Sequence, residues 1–239
     1  MPATNSFALS KAPHQSSTSD SANSNQTPAL LSKDQEVSSQ KVTAIAPAND
    51  PRSALEHKLA EAALTIKEGG VIVCPTEGVY GLSASVHSLK AIERVIVIKQ
   101  RSLNKGLIIV AADIAQLTGI VNFVALSQDS MSLIHQHWPG HATFIMPACH
   151  DLPELLTGGR TTIAVRVSAF PLLTELCYQV GSPIISTSAN ISGSAPLTTI
   201  AELRATFASE VDYILDEPCQ GLNKPSTIFD AATGAILRP

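Results

Sequence analysis

Short apolar runs alternate with helical segments along this chain from about residue 52 onward, and this alternation constrains the fold more than any other feature. The runs with the length and composition of strands are VIVCP, LIIVAA, ATFIMPA, TIAVRV, PIIS, DYIL, STIFD and AILR. LIIVAA is apolar throughout, as expected of a strand in a sheet that is covered on both faces. The pattern therefore predicts a single-domain α/β fold, in which helices flank a mostly parallel or mixed sheet.

Capping signals mark the starts of two of the predicted helices. Ser53 and Glu56 match a capping box in SALEHKLAEAALTIKEGG, and the glycine pair that closes this segment ends the helix. Thr199 and Glu202 match a second box at the start of IAELRATF. Both helices are therefore predicted with defined first turns.

The first 51 residues differ in composition from the rest of the chain. The segment PHQSSTSDSANSNQTPA, residues 13–29, has no large aliphatic or aromatic side chain. Such a segment cannot bury enough apolar area to offset the entropy that it loses on ordering. We expect a disordered N-terminal tail over residues 1–51 and one folded domain over residues 52–239.

Charge, hydropathy and cysteine spacing argue against several classes of protein. The formal net charge of −4 disfavours a broad nucleic-acid-binding surface but not a local basic pocket. No apolar run reaches about 18 residues, so no transmembrane helix is expected. The cysteines, at positions 74, 149, 177 and 219, are too far apart for a disulfide framework or a zinc site. This use of cysteine is typical of the reducing cytoplasm.

A cationic cluster follows the helical segment AIERVIVI. Lys99, Arg101 and Lys105 lie within seven residues of one another. On a continuous helix, residues i and i+2 point about 200° apart, so Lys99 and Arg101 face one ligand only if the helix unwinds there. The Ser, Asn and Gly that follow favour such unwinding. Alternatively, the cations simply complement the negative end of the helix dipole.

Small polar residues follow the apolar strand PIIS. If the segment ISTSANISG stays extended, a period of two places Ser186, Ser188 and Asn190 on one face. Ligands of open α/β sheets bind outside the carboxyl ends of the strands, which makes this row a candidate site. The same residues also fit a hydrogen-bonded turn that leads into a loop.

One arginine lies inside a predicted strand. In TTIAVRV, Thr162, Ala164 and Arg166 share one face of the strand. An arginine in a covered sheet needs an anionic partner, because an unpaired buried charge is very costly. That partner is either a structural Asp or Glu or the carboxylate or phosphate of a ligand.

Polar residues also stand at the ends of other strands. The strand VIVCP ends in PTEGVYGL, where Thr76 can offer a hydroxyl to a ligand and the glycines allow close approach of the backbone. Glu77 has a simpler interpretation, as a helix cap or the partner of a lysine. Ser226 in KPSTIFD and Arg238 in ILRP are comparable polar groups.

Metal and nucleotide motifs are weak or missing. HQHWPGH contains His135, His137 and His141, but Pro139 and Gly140 break the spacing that a zinc helix needs, so no protein-only metal site is predicted. The chain also lacks the G-x-x-x-x-G-K-[ST] and G-x-G-x-x-G fingerprints and the G-x-S-x-G serine elbow. Any nucleotide must therefore be held by another arrangement.

Six separated motifs together resemble the YrdC-like family of threonylcarbamoyl-adenylate synthases. They are CPTEGVYGL, IKQRSLNKGLIIVAAD, WPGHATFIMP, IAVRV, STSANISG and KPSTIFD. The resemblance runs from about residue 60 to the C-terminus and is to the short, single-domain bacterial form. It implies a twisted mixed or parallel sheet around a large basic concave cleft, with the catalytic domain over residues 52–239.

The activity that the resemblance implies is a nucleotidyl transfer. The enzyme would convert L-threonine, bicarbonate and ATP into L-threonylcarbamoyladenylate and pyrophosphate, for the modification of adenosine 37 in tRNA. ATP would be a substrate, with Mg²⁺ held mainly by its phosphates. The further implied partners are the downstream threonylcarbamoyl-transfer proteins and, in a weak contact, tRNA itself. A membrane partner is not expected, and the expected location is the cytoplasm.

The resemblance also implies roles for individual residues. The K-x-R and S-x-N signatures form a catalytic tetrad that falls on Lys99, Arg101, Ser188 and Asn190. The substrate-binding positions are Thr76, Arg166 and Ser226, of which Arg166 engages the substrate carboxylate. Ser186 and Arg238 match positions associated with ATP.

Two motifs depart from the family pattern, and two other functions compete with the enzyme. Gly78 stands where many relatives have Thr, and GHAT replaces the commoner GPLT, but neither change removes a tetrad residue. The first competitor is an RNA-binding or ribosome-maturation factor that uses the basic cleft, which net acidity and scarce aromatics disfavour. The second is carbamoyl transfer onto another protein, which the short chain disfavours.

Overall fold

The computed structural model describes residues 50–239, and the predicted tail over residues 1–51 lies almost wholly outside this range. The α-helices are α1 (Pro51–Lys67), α2 (Leu89–Ile98), α3 (Gln128–His137), α4 (Glu154–Thr157), α5 (Pro171–Val180) and α6 (Ile200–Phe207). The strands are β1 (Val71–Cys74), β2 (Gly81–Ser85), β3 (Ile108–Ala111), β4 (Ala142–Pro147), β5 (Thr162–Val167), β6 (Ile184–Ser188), β7 (Tyr213–Ile214), β8 (Thr227–Asp230) and β9 (Ile236–Arg238).

The strands form one mixed sheet in the order β7-β1-β2-β6-β3-β5-β4-β8-β9. The pairs β1–β7, β3–β5 and β4–β8 are parallel, and the other neighbouring pairs are antiparallel. The predicted α/β fold with a mixed sheet is therefore confirmed, and each predicted strand is present. The sequence did not predict β2, because GLSAS has few of the β-branched and aromatic side chains typical of strands.

Helices cover both faces of the sheet. On one face, α1 and α5 contribute Ile66 and Leu176 to a core that also contains Val110 of β3. On the other face, α2, α3 and α6 pack in a core that contains Ile109 of the same strand. Because side chains alternate along a strand, consecutive apolar residues of β3 supply both cores. None of the helices in the described range is long and apolar enough to cross a bilayer.

The start of α1 differs from the prediction, whereas the start of α6 agrees with it. The N-cap of α1 is Asp50, whose carboxylate accepts a hydrogen bond from the backbone N–H of Arg52 at 3.0 Å. The predicted box at Ser53 is therefore wrong, because an acidic residue followed by proline begins the helix one turn earlier. The box formed by Thr199 and Glu202 in α6 is confirmed.

The sheet face that carries α1 and α5 is only partly covered by them, and the uncovered part holds a cavity. Along β6, Ile184 belongs to the core with α1 and α5, whereas Ser186 and Ser188 line the cavity. Along β5, Ala164 and Arg166 line the same cavity, on the face that alternation predicts. The change from apolar to polar side chains along these strands therefore marks where helix packing ends and the site begins.

Candidate active site

The cavity has a volume of about 400 Å³ and a cationic lining. Its positively charged side chains are Arg101 and Lys105 after α2, Arg160 before β5, Arg166 in β5 and Arg238 in β9. Within residues 50–239, no Asp or Glu belongs to the lining. Clustered cations in a concave site raise the local potential and so favour an anionic ligand.

Most of the predicted site residues converge on this cavity. Those that line it are Thr76, Arg101, Arg166, Ser186, Ser188, Ser226 and Arg238. The other two, Lys99 and Asn190, lie next to the cavity and are hydrogen-bonded to Ser188. The K-x-R and S-x-N pairs, which are far apart in sequence, therefore meet at one place in the fold.

Lys99 is almost fully buried, with 2% of its surface exposed. Its Nζ donates to the backbone carbonyl of Ser188 and, at 3.0 Å each, to the backbone carbonyl and Oδ1 of Asn190. These three bonds use every hydrogen of an ammonium group. Burial and then the charge of Arg101 lower the pKa of Lys99 to about 8. Lys99 therefore holds the S-x-N turn in place instead of projecting into the cavity.

The helix unwinds between Lys99 and Arg101, as the K-x-R spacing required for a shared site. α2 ends at Ile98, and Gln100 has a φ of +49°, in the left-handed region. Lys99 then binds the end of β6, while Arg101 lines the cavity and donates through Nε to the carbonyl of Gly106 at 3.0 Å. Because Gln100 is not helical, the side chains of Lys99 and Arg101 reach two different parts of the same site.

The S-x-N segment is extended only as far as Ser188, and it then turns. The backbone N–H of Asn190 donates to the carbonyl of Ser188 at 3.0 Å, and Ser188 Oγ donates to Asn190 Oδ1 at 2.7 Å. The predicted extended face is therefore correct for Ser186 and Ser188 and wrong for Asn190. Asn190 reaches the site because its side chain folds back onto Ser188.

Glu77 is the buried partner of Arg166. Arg166 Nη1 lies 3.0 Å from Glu77 Oε2, and Ser168 Oγ donates to the other carboxylate oxygen at 2.6 Å. The partner is therefore a structural acid, and the interpretation of Glu77 as a helix cap or the partner of a lysine is wrong. Arg166 Nε is buried without a hydrogen-bond partner in the described part of the chain. The guanidinium therefore lies mostly buried against Glu77 at the wall of the cavity.

The predicted pocket hydroxyls already take part in internal hydrogen bonds. Thr76 Oγ1 donates to the carbonyl of Val79 at 2.6 Å, within its own turn. Ser226 Oγ is 2.7 Å from Thr143 Oγ1, and Arg238 donates to the Ser226 carbonyl through Nε at 3.2 Å and Nη2 at 2.7 Å. Thr76 is therefore available to a ligand mainly as an acceptor, and Arg238 also fixes the start of β8.

Arg160 and His141 line the cavity, and neither of them was assigned to a substrate site from the sequence. Arg160 Nη2 donates to the carbonyl of Asn104 at 2.6 Å, which joins the segment before β5 to the segment after α2. His141, considered from the sequence only as a metal ligand, instead contacts Arg166 and the backbone of Lys224. Neither residue belongs to a local sequence pattern, because the contacts that place them in the site are with distant segments of the chain. No group of three His, Cys, Asp or Glu suited to a metal ion occurs in residues 50–239.

Sequence comparison places these motifs among known proteins. The family model for Sua5, YciO and YrdC, described as "Telomere recombination", matches residues 64–239. The threonylcarbamoyl-AMP synthase of Pseudoalteromonas translucida is 41% identical over 180 residues, which cover 75% of this chain and 96% of that protein. The threonylcarbamoyl-AMP synthase of Stenotrophomonas maltophilia is 42% identical over 183 residues, which cover 77% of this chain and 98% of that protein.

Solved structures share the same fold. The crystal structure of P. abyssi Sua5 complexed with L-threonine has a TM-score of 0.69 and 32% identity, and the match covers 73% of this chain and 51% of that one. This chain therefore spans about half the length of that Sua5. The crystal structure of E. coli YciO has a TM-score of 0.66 and 27% identity, with 77% and 89% covered.

Proposed function

This chain belongs to the Sua5, YciO and YrdC family, and from that membership we propose how its cavity carries out threonylcarbamoyl-AMP synthesis. The protein is a nucleotidyltransferase that joins L-threonine, bicarbonate and ATP into L-threonylcarbamoyladenylate and releases pyrophosphate and water. The observation that carries the proposed site is the convergence of the K-x-R and S-x-N pairs on one cationic cavity.

The cavity divides into a part suited to phosphates and a part suited to an amino acid. Arg101, Lys105 and Arg160 stand on two adjoining segments, where they are suited to bind the triphosphate of ATP. Arg166 lines the same cavity from β5, and its guanidinium suits the threonine carboxylate. Ser226 lines the same cavity as a hydroxyl partner for this substrate.

The proposed reaction needs no covalent bond to a side chain. The threonine amino nitrogen bonds to the carbon of bicarbonate with loss of water, which gives N-carboxythreonine. A carbamate oxygen of this intermediate attacks the α-phosphorus of ATP, and the bond from that phosphorus to the pyrophosphate oxygen breaks. Negative charge develops on the leaving pyrophosphate, where fixed cations stabilise the transition state more than the ground state. Catalysis then consists of orientation and charge stabilisation.

The four tetrad residues divide into two roles in this proposal. Arg101 and Ser188 line the cavity and would touch the substrates. Lys99 and Asn190 would act through Ser188, because their hydrogen bonds set the position of the strand end. Thr76 and Ser186 would shape the wall beside them, and Arg238 would hold Ser226.

Mg²⁺ and the later partners extend the proposal. The described lining offers hydroxyls but no carboxylate, so the ATP phosphates would supply most of the ligands of Mg²⁺. The ion would neutralise charge on the leaving pyrophosphate. The product would pass to proteins that transfer its threonylcarbamoyl group to adenosine 37 of tRNA, with weak contact to tRNA itself. The spacing of the cysteines fits a cytoplasmic location.

The decisive experiment is mass spectrometry of the product formed from ATP, bicarbonate and L-threonine. We expect the mass of L-threonylcarbamoyladenylate, together with pyrophosphate release that stops when threonine or bicarbonate is omitted. Serine replaces threonine as the matched control and should give much less product. Pyrophosphate release that is independent of threonine would contradict the proposed function. A cavity of about 400 Å³ suits small substrates better than an RNA strand, which disfavours the RNA-binding alternative.

A further inference from the structure

His141, the residue before β4, connects two groups of the proposed threonine-binding end of the cavity. Its Nδ1 is 3.1 Å from Nη1 of Arg166, and its Nε2 is 3.0 Å from the backbone carbonyl of Lys224. The side chain lines the cavity and is 14% exposed. His141 therefore contacts β5 on one side and the loop before β8 on the other.

The chemistry of these two contacts defines the form of the imidazole. A guanidinium can only donate, so Nδ1 must be unprotonated to accept from Arg166. A carbonyl can only accept, so Nε2 must carry the proton that it donates to Lys224. The neutral tautomer with hydrogen on Nε2 is therefore the form that makes both bonds. A proton on Nδ1 would remove the acceptor and bring two positive charges face to face.

The charged surroundings of His141 favour this neutral form. Arg166 faces it from β5, Glu77 Oε2 lies 4.0 Å from Nδ1 on the loop after β1, and the carbonyls of Lys224 and Pro225 face it from the loop before β8. Burial and next the charge of Arg166 lower the pKa of His141 below its usual 6.5, while Glu77 and the carbonyls oppose them. The net effect keeps the ring neutral near pH 7.

Gly78 is the second contact of the Lys224 carbonyl. A Cβ atom on Gly78 would lie only 1.8 Å from that carbonyl oxygen and 3.2 Å from Cε1 of His141. The loop before β8 can therefore approach the loop after β1 only because residue 78 has no side chain. Gly78 leaves room for the carbonyl of Lys224, and His141 donates a hydrogen bond to it. Lys224 lies two residues before Ser226, so these contacts fix the backbone next to a cavity residue.

We infer that neutral His141 is a positioning residue for the amino-acid end of this cavity. It holds one amino group of Arg166 and the backbone of Lys224, and so fixes the positions of the Arg166 guanidinium and of Ser226 in the cavity wall. The inference rests on the proposed function, because that function assigns Arg166 and Ser226 to threonine.

The test compares His141→Ala with His141→Gln. Alanine removes both contacts, and we expect it to raise the KM for threonine at least tenfold while changing the KM for ATP less than twofold. Glutamine has one oxygen that can accept from Arg166 and one N–H that can donate to Lys224, so it should restore most of the threonine affinity. His135→Gln, at an exposed position of α3, is the matched control and should change neither constant.

The pH profile separates this role from a merely structural one. In the wild type, the KM for threonine should rise once the pH falls below the pKa of His141, which is lowered from the usual 6.5, because protonated His141 can no longer accept from Arg166. The rise should be missing in His141→Gln, which does not titrate, and present in His135→Gln. A rise that persists in His141→Gln, or an unchanged KM for threonine in His141→Ala, would overturn the inference.

Two further measurements keep the outcomes distinct. Circular dichroism shows whether His141→Ala folds, and if it does not, the pH profile of His141→Gln decides the question alone. Wild-type enzyme without threonine-dependent product would refute the proposed function instead. Calorimetric titration of threonine into the same proteins would then still report whether residue 141 positions an amino-acid site.

Discussion

Replacing Lys99 by methionine distinguishes a residue that positions the S-x-N turn from one that contacts substrate. Methionine keeps an unbranched apolar stem of similar size but has no hydrogen-bond donor. The backbone carbonyls of Ser188 and Asn190, and Oδ1 of Asn190, would lose the donor that they share in the wild type. All three acceptors surround a side chain that is almost completely buried.

The size of the effect follows from these three acceptors. The Ser188 carbonyl keeps the hydrogen bond from the N–H of Asn190, and Asn190 Oδ1 keeps the one from Ser188 Oγ, so within the described residues only the Asn190 carbonyl is left without a donor. A buried acceptor left without a donor costs about 1–3 kcal/mol. Removing the buried ammonium offsets part of this destabilisation, because burial disfavours the charged form and lowers the pKa of Lys99 to about 8. We therefore expect a net destabilisation of about 1–2 kcal/mol. For a domain of this length, that corresponds to a fall in Tm of about 2–8 °C.

Arg101→Met is the matched variant, because Arg101 lines the cavity and its bonds go to carbonyls of its own loop. It should lose about 2–4 kcal/mol of transition-state stabilisation with little change in Tm. Lys99→Met should lose both activity and Tm. Differential scanning fluorimetry and a pyrophosphate-release assay on the same preparations measure the two effects.

Two results would refute this reasoning. Loss of activity in Lys99→Met with an unchanged Tm would mean that the ammonium acts on the substrates directly, so its role would not be positioning. Unchanged rates in both variants would remove the K-x-R signature from the mechanism altogether.

Three further predictions concern pH, the buried acid and the phosphate end of the cavity. Since the pKa of Lys99 is lowered to about 8, activity should fall above pH 8 as the three-donor ammonium is lost. Between pH 8 and 10.5, residue 99 binds more protons in the unfolded chain than in the folded one, so the free energy of unfolding of the wild type rises with pH. Lys99→Met lacks this group, so urea unfolding should show a stability difference between the two proteins that widens from about pH 7.5 to about pH 9.5. Glu77→Gln leaves Arg166 buried without its counter-ion and should cost about 3–5 kcal/mol in urea unfolding, and a cost below about 1 kcal/mol would contradict the pairing. Arg160→Gln should raise the KM for ATP about tenfold and leave the KM for threonine unchanged, because one charge-assisted contact to phosphate is lost. Arg204→Gln is the control, since Arg204 is in an exposed ion pair outside the cavity, and it should change neither KM.

Local patterns in the sequence predicted the elements and one face of the site correctly. Apolar runs located the strands other than β2, and a period of two put Ala164 and Arg166 on the face that lines the cavity. The spacing of Lys99 and Arg101 required an unwound helix end, which the φ of Gln100 provides. These features depend on interactions within a few residues, and such interactions are encoded in neighbouring side chains.

The partners of those residues could not be predicted from local patterns. Lys99 binds Ser188 across 89 residues of sequence, and spacing alone left open both a solvated helix end and a ligand site. Family resemblance supplied that convergence, but it did not supply the pairing of Arg166 with Glu77 or the role of His141. Strand order and register decide which side chains meet across a sheet, and both arise from packing of the whole chain. The sequence by itself therefore determined the strands, helices and candidate groups, while only the tertiary structure decided which groups are paired, buried or free to bind a ligand.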